Sequence, residues 1–118
     1  LILGALGGRR ADMQVGNILC LSAYDKKEEK IVIKNEFSEI RFLREGFSLA
    51  FEGETGDYVS LIPLSDIIET GVSRNLKYQL NGLVFQRGET RSISNELTAK
   101  EGELILTRGN AIIIIQKG

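Results

Sequence analysis

From Ile31 to its end the chain breaks into short apolar segments closed by glycine-containing turn signals, a pattern that restricts this stretch to β-structure. The segments are Ile31-Val32-Ile33, Ile40-Arg41-Phe42, Phe47 to Phe51, Tyr58 to Ile62, Leu76 to Leu80, Leu83 to Phe85, Leu104 to Leu106 and Ala111 to Ile115. Phe47, Leu49 and Phe51 alternate with polar or small neighbours, as do Leu76, Tyr78 and Leu80, which is the period of a strand with one buried face. Glu45-Gly46, Gly53 to Gly56, Asn81-Gly82, Arg87-Gly88, Glu101-Gly102 and Gly109-Asn110 read as the turns between them. Residues 31–118 are therefore expected to form an antiparallel β-sandwich or barrel. The isoleucines Ile112 to Ile115 predict a strand buried on both faces, or one that caps the core.

The first thirty residues follow another rule. Leu1-Ile2-Leu3 leads into Gly4, Gly7 and Gly8, and then Val15, Ile18, Leu19 and Ser22 recur at helical spacing until Lys26 to Lys30. Strand, glycine turn and helix make an α/β signature. Such a turn presents backbone N–H groups and a positive dipole end to phosphate, or simply lets strand and helix pack closely. The chain thus divides near residue 30, with 1–30 expected to be the last strand and helix of an α/β domain and 31–118 an all-β domain. Because the chain starts on Leu inside an apolar run, position 1 reads as an internal point of a longer protein. Leu1 to Leu6 is too short to span a bilayer, and its arginines follow it where a signal peptide would place them first.

Charge and composition narrow the function. Fifteen basic against sixteen acidic residues leave a net charge of -1 with no basic block, so nucleic acid and membrane surfaces are not expected partners. There is no histidine, which removes the usual general base, the Ser-His and Cys-His nucleophile pairs and imidazole metal ligands. Chemistry would have to run on carboxylates, Lys, Arg and a bound cation. The single cysteine, Cys20, sits in an apolar helical stretch and reads as a small buried hydrophobe. Nothing argues for secretion, and a cytoplasmic protein is expected.

Thr90-Arg91-Ser92-Ile93-Ser94-Asn95-Glu96 interrupts the β pattern with hydroxyls, an amide and a carboxylate around one aliphatic residue. That inventory suits a small polar ligand, since it donates and accepts in several directions. Taken alone it is better read as a polar turn or strand end, where Ser and Asn are ordinary residues.

Order among motifs carries more than any one of them. Gly4-Ala5-Leu6-Gly7-Gly8-Arg9, Tyr58-Val59-Ser60-Leu61-Ile62-Pro63-Leu64, Thr70-Gly71-Val72, Leu76-Lys77-Tyr78, Ser92-Ile93-Ser94-Asn95-Glu96-Leu97 and Gly109 to Ile115 follow one another. In that order the chain resembles the C-terminal half of thiamine pyrophosphokinase, a family with GALGGR, YVSLIPL, TGV, GLKYPL-like and GISNE-like segments. The likeness covers essentially the whole chain. Departures are Arg9-Arg10-Ala11-Asp12-Met13, where the family continues R-x-D-H, Asn75 in place of glycine, and Gln79 in place of proline. Asn tolerates positive φ better than most residues, so the change at Asn75 is mild.

The resemblance implies an α/β domain for ATP and Mg²⁺ and an all-β domain for thiamine, with the active site shared across a homodimer. It implies pyrophosphate transfer from ATP to the hydroxyethyl oxygen of thiamine, with AMP leaving. Phosphoryl-type transfer works largely by positioning and charge neutralisation, so a chain without His is compatible with it. By the same resemblance Asp12 is the catalytic and metal-holding carboxylate, and Gly7, Gly8 and Arg9 or Arg10 attend the polyphosphate. Ser92, Ser94 and Asn95 match the thiamine-contacting loop. Glu96 either neutralises the thiamine cation or makes a structural ion pair, Lys77 reads as a solvated charge, and Tyr78 as core. The rival reading is a non-catalytic β-sandwich module for thiamine, a carbohydrate or a peptide, although no Trp and three Tyr supply a sugar platform poorly.

Overall fold

Ten strands run through the described residues of the computed structural model, which are 2–3, 16, 32–34 and 36–118. They are β1 (Ile2–Leu3), β2 (Val32–Lys34), β3 (Ser38–Leu43), β4 (Ser48–Glu52), β5 (Tyr58–Pro63), β6 (Ile67–Arg74), β7 (Val84–Gln86), β8 (Asn95–Glu96), β9 (Glu101–Arg108) and β10 (Ala111–Gln116). One sheet has the order β1-β2-β3-β10-β5-β8, the other β4-β9-β6-β7. All pairings are antiparallel except that of β1 with β2.

The chain changes sheet at most of its turns. β3 passes to β4, β5 to β6 and β9 to β10 across the sandwich, so these turns are corners between sheets where a hairpin would stay within one. Gly46, Gly56, Gly82, Gly88 and Gly109 all take positive φ. At Gly109 a Cβ would also stand 2.5 Å from the Ile67 carbonyl oxygen, so glycine is required there twice over.

Between the sheets lies a core of Leu49, Phe51, Val59, Leu61, Ile68, Phe85, Leu104, Leu106, Ile113 and their neighbours. A second cluster, Ile33, Ile40 and Ile112, with Phe42, Ile62, Leu64 and Ile114 against it, occupies the other face of the six-stranded sheet. The isoleucine run serves both, because successive side chains of β10 point to opposite faces. The expectation of a strand buried on both sides is met.

Three expectations change. Leu76 to Leu80 is no strand: it makes one isolated bridge, Leu76 to Leu97, and Tyr78 is 60% exposed where the alternation predicted core. Glu101-Gly102 is no turn but the start of β9, where a Cβ on Gly102 would lie 2.6 Å from Phe51 Cε2. Phe47, expected on a buried face, precedes β4 and is 55% exposed. The strands β6 and β8 escaped the sequence pattern. Along β6 the pairing with β9 shifts register between Glu69 and Thr70 and again before Ser73, so its buried positions lose a constant period. Of the expected helix only Gly16, which is helical, is among the described residues, and Cys20 lies outside them.

Candidate functional site

β8 extends the six-stranded sheet by pairing Glu96 with Tyr58 and Asn95 with Val59. Directly paired residues share a face, so Glu96 points outward with Tyr58 and Asn95 inward with Val59. Just before β8, Ser92 is 2% exposed. Its hydroxyl donates to the Leu61 carbonyl at 2.6 Å, and its own carbonyl accepts from Leu61 N–H at 2.9 Å. Between them Ser94, at φ 63, turns its N–H onto Ser60 Oγ at 2.9 Å and stays exposed, beside an exposed Ile93. The loop is anchored at both ends and open in the middle.

A second segment closes on it. From Asn75 to Leu83 the chain leaves the strand ladder, and neighbouring side chains take over much of its hydrogen bonding. Asn75, at φ 60, donates from Nδ2 to the Glu101 carbonyl at 2.8 Å. Lys77 N–H donates to the Glu96 carbonyl, and Asn95 takes both the N–H and the carbonyl of Tyr78. Leu80 N–H donates to Ser73 Oγ at 2.9 Å, while the buried Thr70 hydroxyl donates to the Leu80 carbonyl and accepts Leu83 N–H. Asn81 Oδ1 accepts from the Ser73 N–H and hydroxyl. The buried members of this set, Thr70, Ser73 and Asn95, are tolerated because each is partnered.

The two segments present one surface. Lys77 Nζ stands 3.2 Å from Glu96 Oε2 and 5.5 Å from the centre of the Tyr78 ring. The Glu96 hydrogen bond and charge hold the Lys77 ammonium above the ordinary lysine value. Arg91 lies on the flank, paired with Glu89 at 3.0 Å, donating to the Val84 carbonyl and stacked with its Cζ 5.0 Å from the Phe85 ring centre. The Glu89 carboxyl is pulled below its usual range, first by Gln86 N–H and then by Arg91.

Of the residues singled out from sequence, Ser92, Ser94, Asn95 and Glu96 are brought together, but they divide: Ser94 and Glu96 face out, Ser92 and Asn95 in. Sequence reasoning missed the outward Tyr78 and the contributions of Tyr58 and Ser60 from β5. Pairing of β5 with the loop was the needed signal, and it is not local. Gly7, Gly8, Arg9, Arg10 and Asp12 lie outside the described residues. Among the described residues no group of three or more Asp, Glu, Cys or His is placed to hold a metal. Two clefts, of about 470 and 380 Å³, lie where β3 approaches β4, and neither includes a residue of the Ser92–Glu96 loop. The described surface offers an ion pair, an aromatic face and hydrogen bonds, which is equipment for recognition.

Comparison with known proteins follows the same lines. The family model for the thiamin pyrophosphokinase vitamin B1 binding domain matches residues 47–110, which include both segments of the site. Over 113 residues the chain is 34% identical to a thiamine pyrophosphokinase of Bacillus subtilis, covering 96% of this chain and 52% of that protein. The crystal structure of thiamine pyrophosphokinase from Bacillus subtilis aligns with TM-score 0.83 at 31% identity, over 95% of this chain and 52% of that one. That of thiamin pyrophosphokinase from Geobacillus thermodenitrificans aligns with TM-score 0.81 at 27% identity, over 98% and 53%. The chain spans about half the length of the relatives it matches.

Proposed function

The chain belongs to the thiamine pyrophosphokinase family, and we propose on that premise that it supplies the thiamine-recognising part of an enzyme making thiamine diphosphate. In the reaction the hydroxyethyl hydroxyl of thiamine loses its proton as its oxygen attacks the β-phosphorus of ATP, the bond from that phosphorus to the α,β-bridging oxygen breaks, and AMP leaves with that oxygen. The observation that carries this reading is the cluster of Ser94, Glu96, Lys77 and Tyr78 on one face, inside the segment matched by the vitamin B1 binding model.

Thiamine carries a cationic thiazolium and an aminopyrimidine with a polar edge. The carboxylate and ring that receive the Lys77 ammonium suit a second cation of that kind, through charge and through the negative face of the tyrosine. The exposed Ser94 hydroxyl can address the pyrimidine edge. Since this surface is a wall and not an enclosed pocket, its other side would come from elsewhere, in keeping with a site shared across a homodimer. The nucleotide would fall to Gly7, Gly8 and Arg9 or Arg10, with Asp12 holding Mg²⁺, which supplies charge neutralisation on the polyphosphate when bound. We place the enzyme in the cytoplasm.

The full-length protein, incubated with ATP, Mg²⁺ and thiamine, is expected to yield thiamine diphosphate together with AMP. Release of ADP, or no product, would count against the reading.

A further inference from the structure

The side-chain amide of Asn95 does the work of a peptide group. It is 5% exposed and points into the sandwich. Its Oδ1 accepts from Tyr78 N–H at 3.0 Å and from Glu96 N–H at 2.9 Å, and its Nδ2 donates to the Tyr78 carbonyl at 2.7 Å. One residue thus receives both backbone bonds of Tyr78, as a residue of a neighbouring strand does in a hydrogen-bonded pair. Among the described residues a single N–H of the amide is left uncommitted. An amide so engaged is poorly placed to read a ligand directly.

Tyr78 has no other support of this sort. Its neighbours in sequence are tied to Glu96 by the Lys77 N–H and to Ser73 by the Leu80 N–H, while its ring stands in solvent beside Lys77. We infer that Asn95 is a positioning residue: it sets the Tyr78 ring and the Glu96 carboxylate at the spacing that receives the thiamine cation, and contributes to binding only through them. What the surface binds rests on the function proposed above. The residue type follows from the contacts. Aspartate would turn a carboxylate onto the Tyr78 carbonyl, alanine would leave Tyr78 N–H and C=O unpaired, and glutamine would set the amide one methylene too far.

The test is a mutant cycle in the full-length protein, read as steady-state constants. Asn95→Ala is expected to raise the KM for thiamine on the order of tenfold, with the KM for ATP within about twofold of wild type. In a background that lacks both groups it acts through, Tyr78→Ala with Glu96→Gln, the same substitution should change the thiamine KM by less than about twofold. An equal factor in both backgrounds would mean direct contact and overturn the inference. Where Asn95→Ala fails to fold, Asn95→Asp, which keeps the volume, runs through the same cycle. Amide exchange in the ligand-free protein gives a second readout: the Tyr78 N–H should lose protection in the variant, and unchanged protection would overturn the inference. If the wild-type protein makes no thiamine diphosphate, the proposed function falls by itself, and exchange at Tyr78 still decides whether Asn95 holds the segment.

Discussion

β10 and the segment from Asn75 to Leu83 belong to one sandwich but are held by opposite means. β10 is laddered to β3 on one side and β5 on the other, backbone to backbone over its whole length. The 75–83 segment has one isolated bridge and two backbone bonds to β6, from Thr70 N–H to the Leu83 carbonyl and from Gly82 N–H to the Gly71 carbonyl. Otherwise it leans on side-chain bonds of Thr70, Ser73 and Asn95 and on its own Asn81 bonded to Ser73. A ladder uses groups that every residue but proline carries, so its side chains are left to the core. A segment hung on particular hydroxyls and amides can release a side chain such as Tyr78 to solvent, at the cost of depending on each support. Rigidity of the first kind is distributed, and of the second kind concentrated in named atoms.

The largest expected effect lies on the ladder side. Ile113→Ala, at a position with no solvent exposure, should cost about 3–4 kcal/mol in denaturant unfolding through lost burial and a residual cavity. A loss below about 1 kcal/mol would mean that the core relaxes around β10 and that the comparison is drawn too sharply. Next comes Thr70→Val, which keeps the shape but removes the donor to Leu80 and the acceptor for Leu83 N–H. We expect a loss of about 1–3 kcal/mol, with faster amide exchange at Leu83 and no change at Ile113. Equal acceleration at both sites would show that ladder and hung segment open as one unit.

The smallest effect is expected at the exposed flank. Glu89 has its folded pKa lowered, chiefly by the Gln86 N–H and then by Arg91. A depressed carboxyl stabilises the fold above its unfolded pKa, and the contribution is lost as pH falls through the folded value. Glu89→Gln should therefore lower stability slightly near neutral pH, by little because the group is exposed, and match the wild type at acid pH, which flattens part of the acid-side decline. A Glu89 titration midpoint equal to that of the unfolded chain would contradict the assignment.

The β class was legible because it is written in local terms. Apolar spacing marked β3, β4, β5, β9 and β10 to within a few residues, and Gly46, Gly56, Gly82, Gly88 and Gly109 lie at turns with positive φ, which L side chains rarely adopt. Asn75, standing where the family has glycine, takes positive φ as its residue type allows. β6 was not legible, since register shifts along its pairing erase the alternation that a scan depends on. For the site, the words of the Ser92 to Glu96 loop could be read, but not the direction each one faces.

Sequence by itself determined that this chain makes short strands between glycine turns, with a polar loop between two of them and an order of motifs shared with one family. Tertiary structure alone decided which strands became neighbours. Leu76 to Leu80 has the alternation of a strand, yet the segment beside it, β8, is two residues long, so its remaining bonds go to side chains and Tyr78 turns outward. Asn95 and Glu96 are adjacent polar residues in the sequence, and only the pairing of β8 with β5 sends one to the core and the other to the surface. Secondary-structure period depends on a residue and its neighbours along the chain, whereas facing and partnership depend on which backbone arrives alongside.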